Sequence, residues 1–65
     1  MKTYNILIKD VYTEEKRSET LKCPDAIDIR DIHKQAMKKI KVAEDIECIK
    51  SENKLVYTID RGFLV

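Results

Sequence analysis

The stretch CPDAIDIRDIHKQAMKKIKVA, residues 23–43, is the one part of the chain whose apolar residues recur at helical spacing. Ile29, Ile32, Ala36, Ile40 and Ala43 follow one another at three- and four-residue steps, which draws a single stripe down one side of a helix. Pro24 suits a first turn, where its missing N–H would have no partner. The acids Asp25, Asp28 and Asp31 stand where a helix N-terminus favours negative charge, and Lys34, Lys38, Lys39 and Lys41 crowd the end that favours cations. A helix over 25–43 is therefore expected, with its stripe turned toward a core.

On either side of it the apolar period drops to two. Tyr4, Ile6 and Ile8 alternate with Asn5, Leu7 and Lys9, and Leu21 and Cys23 alternate with Thr20 and Lys22. The charged segment Thr13-Glu14-Glu15-Lys16 has nothing to bury and lacks the Asn-Gly signal of a tight turn, so a hairpin over 3–23 with a loose connection is expected. Downstream, Ile46 and Cys48 alternate with Glu47 and Ile49. Ser51-Glu52-Asn53-Lys54 can reverse the chain into Leu55–Ile59, with Asn53 able to take a left-handed conformation. This gives a second hairpin over 46–60, followed by an apolar tail over 61–65 in which Gly62 permits a bend. The expected fold class is α+β, of ββαββ order: one helix packed on one face of a four-stranded, mainly antiparallel sheet, in a single small domain.

One helix covers one sheet face. Tyr4, Ile6, Ile8, Leu21, Cys23, Ile46, Cys48, Leu55, Tyr57 and Ile59 are expected beneath the helical stripe. By the period-two rule Leu7, Val11, Ile49 and Val56 then point to the opposite face, which no segment except the tail Phe63, Leu64 and Val65 can reach. Leaving such side chains wet forfeits roughly a few kcal/mol at about 25 cal/mol per Å², a large share of what so small a domain can hold. Leu7, Val11, Ile49, Val56, Phe63, Leu64 and Val65 are thus the candidate residues of a protein interface, either with a second copy or with another protein.

Composition narrows the function classes. The chain has 65 residues, 43% of them apolar and 38% charged, and thirteen Lys and Arg against twelve Asp and Glu leave a net charge of +1. No global field directs it toward nucleic acid, an anionic membrane or an acidic partner. A single Gly and a single Pro exclude Gly-rich phosphate loops and flexible linkers. No signal peptide and no membrane span is read from the sequence. Cys23 and Cys48 lie too far apart for the close pairs of zinc or redox sites, and two buried thiols suit a reducing cytoplasm. Abundant Lys and Ile with little Ala, Gly or Pro is common in products of AT-rich genomes, which suggests a bacterial or phage accessory protein.

Chemistry has few candidates. His33 is the only histidine, so conventional nucleophile–base and two-histidine metal arrangements are incomplete, and it falls within the apolar arc of the helix. The acidic row Asp25, Asp28 and Asp31 lacks the alternate-residue spacing of a calcium loop and reads as helix capping. Arg30, Lys34, Lys38 and Lys41 make a basic helix flank that could follow phosphates, without interleaved aromatic residues to stack on bases. The sequence therefore points to a cytoplasmic, non-enzymatic protein acting through protein–protein interaction as a homodimer, with no cofactor, metal or small-molecule substrate. Weak nucleic-acid binding through the basic flank is the alternative.

Overall fold

A computed structural model of the chain describes residues 2–24 and 28–64. Among the described residues there are five strands, β1 (Lys2–Asp10), β2 (Lys16–Cys23), β3 (Glu44–Ser51), β4 (Lys54–Thr58) and β5 (Gly62–Phe63), and one helix, α1, which spans Ile29–Met37. They form a single antiparallel sheet in the order β2-β1-β3-β4-β5, with α1 on one face. The expected sheet with one helix is present, but the element order is ββαβββ. The tail supplies the fifth strand: Phe63 stands opposite Tyr57, and the Leu64 N–H donates to the Val56 carbonyl at 3.0 Å.

The connection between β1 and β2 is loose, as its residues require. Asp10 Oδ1 accepts from the N–H groups of Tyr12 and Thr13 at 2.8 and 3.0 Å, and Glu14 takes φ 64° to bring the chain back. These two donors hold the Asp10 carboxyl below its ordinary range. Between β3 and β4 the reversal takes two residues, Glu52 and Asn53, both at positive φ, the geometry whose twist matches that of the flanking strands.

The helix is shorter than its apolar stripe. Asp28 caps it, its Oδ1 accepting from the Arg30 N–H at 3.0 Å, and Asp31 lies in the first turn. Asp25 lies outside the described residues. At the other end Lys38 and Lys39 donate to Gln35 and Ala36 in tight three-residue steps, and the chain leaves the helix. What stops it is a competing set of partners. The Lys39 carbonyl accepts from Arg17 Nη2 at 3.0 Å, and the Lys41 N–H donates to Glu44 Oε1 at 2.8 Å. Like charges at helical spacing along Lys34, Lys38 and Lys41 add nothing to oppose this.

Tyr4, Ile6 and Ile8 of β1, Cys23 of β2, Ile32 and Ala36 of α1, Ile46 and Ile49 of β3 and Val56 of β4 are buried together, with Leu21, Ile29, Ile40 and Tyr57 packed against them. Two irregularities correct the expected alternation. Ile8 stands opposite Ile46 while Leu7 stands opposite Cys48, so Glu47 is an extra residue in β3. This bulge puts Ile46 and Ile49 on the same, helix-facing side although they are three apart, and sends Cys48 to the other face. A second shift sets Ile49 opposite Tyr57 and Lys50 opposite Leu55, leaving Val56 as the extra residue of β4. Ile49, fully buried, and Val56 are therefore core residues and not members of the open face. Cys48, Leu55 and Ile59, expected in the core, lie outside it. No helix among the described residues is long and apolar enough to cross a membrane.

Candidate functional site

The sheet face away from α1 is covered by no described element. Its residues follow from the registers: Asn5, Leu7 and Lys9 from β1, Lys16, Ser18 and Thr20 from β2, Cys48 and Lys50 from β3, and Leu55 from β4. Shallow grooves run across it. One lies between Leu7, Ser18 and Cys48, and another between Lys9, Glu47, Cys48, Leu55 and Ile59. Val11, 54% exposed, and Ile59, 49% exposed, border a third groove with Lys9, Asp45 and Glu47.

Charge on this face is mixed and partly neutralised. Glu47 Oε2 is shielded from solvent without a well-directed hydrogen bond, and Lys16 Nζ at 3.1 Å balances it. Leu7, Cys48 and Leu55 are half-buried, so the centre of the face is moderately apolar and its border is ionic. Such a surface can associate with a protein.

The end of the sheet near the first connection is held by ions. Arg17 and Glu19, opposite Ile8 and Ile6, occupy the helix-side face of β2 where the short helix leaves room. Arg17 binds Glu44 through two parallel contacts, Nε to Oε2 at 2.8 Å and Nη2 to Oε1 at 2.9 Å, and donates from Nη1 to Glu19 Oε1 at 2.6 Å. Bonding to Arg17, with the Lys41 N–H adding to it, lowers the Glu44 carboxyl to about 2, and Glu44 in turn raises Arg17.

The basic flank is dispersed. Arg30 and Lys34 are exposed on α1, Lys38 is its C-cap, and Lys41 lies beyond it in the turn whose N–H is held by Glu44. His33 is half-buried as its place in the apolar arc suggests, and it meets rings: Tyr57 at 4.7 Å and Phe63 at 5.6 Å between centroids, with Tyr57 and Phe63 5.2 Å apart. Burial, with Asp45 adding to it, pushes the Tyr57 phenol up. Phe63 thus lies on the helix side, while Leu64 is 38% exposed and Val65 lies outside the described residues.

Both cysteines are free thiols, Cys23 buried and Cys48 on the open face. Among the described residues no group of three His, Cys, Asp or Glu side chains could hold a metal ion. Sequence reasoning missed Cys48 and Leu55 as open-face residues and Ile59 as a residue beside them. The available signal was the spacing of Ile46 and Ile49, which a regular strand cannot bury together. No protein-family model, curated protein or solved structure matches the chain.

Proposed function

We propose that the protein is a non-enzymatic binding module that works by protein–protein association, with the uncovered sheet face as the surface that engages another protein. The supporting observation is the set Leu7, Cys48, Leu55, Val11 and Ile59, which lies on or beside that face with no described element over it. A surface with a moderately apolar centre and an ionic border fits a reversible protein contact better than a lipid or nucleic-acid contact. Two free thiols agree with a reducing, cytoplasmic setting. Homodimerisation, the other part of this reading, would enlarge so small a core.

Capture from the native cell, using wild type and a Leu7→Lys, Leu55→Lys double variant, tests the face. A protein retained by wild type and lost from the folded double variant is expected. Equal capture by both, or recovery of nucleic acid alone, would overturn the reading, and the latter would favour Arg30, Lys34, Lys38 and Lys41 instead.

A further inference from the structure

The two edges of the sheet are built differently. At one edge β5 has two residues and its neighbour β4 carries a bulge, the devices by which sheets blunt an edge. At the other, β2 runs eight residues in unbroken register with β1, with Pro24 only after its end. The direction of its backbone groups follows from the hairpin. The Asp10 N–H donates to the Glu15 carbonyl at 2.8 Å, so Arg17, Glu19 and Leu21 turn their backbone groups to β1. The N–H and C=O groups of Lys16, Ser18, Thr20 and Lys22 therefore point to the edge that no described strand covers.

We propose that this edge pairs with β2 of a second copy, antiparallel about a twofold axis at Ser18. This inference rests on the reading of the protein as an association module and names the partner at its edge. Side-chain chemistry selects the register. Residues facing each other across such a pair lie on the same sheet face, so the axis must pass through one residue of β2 and its own copy. An axis at Arg17 or at Glu19 sets like charges together, and the axis at Glu19 also sets Lys16 against Lys22 of the second copy. An axis at Thr20 leaves Arg17 against Cys23 and Glu19 against Leu21. Only an axis at Ser18 sets Arg17 against Glu19 of the second copy, twice.

In that register the outward backbone groups of Lys16, Ser18 and Thr20 all find partners. The existing Arg17–Glu19 contact closes into a ring of alternating charge, while Glu44 continues to hold Arg17. Lys16 and Lys22, the kind of residue that guards an edge, here reject the wrong register without blocking the right one. The two sheets become one, and the uncovered faces lie side by side as a surface of doubled width. The contact is small, so a micromolar dimer is expected.

Sedimentation equilibrium of the full chain, from micromolar to near-millimolar concentration, tests this. Wild type should reach twice its monomer mass. Ser18→Pro should remain monomeric with an unchanged far-ultraviolet circular dichroism spectrum, because the Ser18 N–H makes no bond to β1. Should Ser18→Pro unfold, Glu19→Lys replaces it, with a dimer dissociation constant raised about tenfold or more expected. In a Cys48→Ser background, Ser18→Cys should cross-link to its own copy under mild oxidation and Thr20→Cys should not. A monomer at every concentration, a dimer that survives Ser18→Pro or is indifferent to Glu19→Lys, or preferential cross-linking through Thr20→Cys would overturn the proposal. These outcomes are separate from the capture experiment: a monomer that still loses its partner through Leu7→Lys and Leu55→Lys removes the edge contact alone.

Discussion

Arg17 grips Glu44 with two parallel hydrogen bonds of 2.8 and 2.9 Å, joining the edge strand β2 to the first residue of β3. The same carboxylate accepts the Lys41 N–H, and the same guanidinium holds the Lys39 carbonyl, so one ion pair fixes the turn that ends the helix. Glu44 has its carboxyl lowered from 4.5 to about 2 in the folded protein. Its contribution to stability is then complete above about pH 4.5 and is lost as the pH falls toward 2. The melting-temperature difference between wild type and Glu44→Gln should be constant at neutral pH and shrink through that window. A difference that does not change with pH would show that the charge of Glu44 contributes nothing.

The bulge at Glu47 assigns residues to faces, and truncation should reveal the assignment. Ile49 is fully buried, so Ile49→Ala should cost about 2–5 kcal/mol in urea unfolding, enough to leave so small a domain partly unfolded. Leu55→Ala, on the open face, should cost less than about 1 kcal/mol. Costs in the reverse order would mean that β3 and β4 alternate regularly and that the expected assignment of Ile49 to the open face was correct.

This pair of residues also marks where the fold was legible in the sequence and where it was not. Strand and helix periods identified two hairpins around one helix, and Tyr4, Ile6, Ile8, Ile32 and Ala36 were placed in the core by spacing alone. Faces failed in β3 and β4 because an extra residue breaks the period-two alternation between the two ends of a strand without changing composition. The helix end failed for another reason: the hydrogen bonds that replace helical ones come from Arg17 and Glu44, remote in sequence. On the open face Leu7 was legible because β1 has no bulge against β2, whereas Cys48 and Leu55 were not.

Asp28 is the cap of a nine-residue helix that has few intrahelical bonds to lose. Asp28→Ala should therefore cost about 1 kcal/mol, by leaving the Arg30 N–H unpaired and removing a negative charge from the N-terminus. Asp28→Ser should recover most of the loss, because a hydroxyl can accept the same bond. Equal destabilisation by both substitutions, measured by urea midpoint, would show that the residue acts other than as a cap.

Phe63 is the anchor of the shortest strand. β5 pairs with β4 over two residues, too few to persist alone, and the ring of Phe63 lies 5.2 Å from Tyr57 and 5.6 Å from His33. Aromatic pairs contribute roughly 0.5–1.5 kcal/mol each beyond their buried area. Phe63→Ala should thus release β5 while the remaining strands hold, because β1 and β3 take their core contacts from Ile6, Ile8, Ile46 and Ile49. Amide hydrogen exchange reads this directly. The Leu64 N–H, bonded to the Val56 carbonyl at 3.0 Å, should exchange at least about fivefold faster in the variant, with the amides of β1 little changed. Uniform acceleration across the sheet would instead make β5 part of the same cooperative unit as the core, with the His33, Tyr57 and Phe63 rings acting as an extension of it.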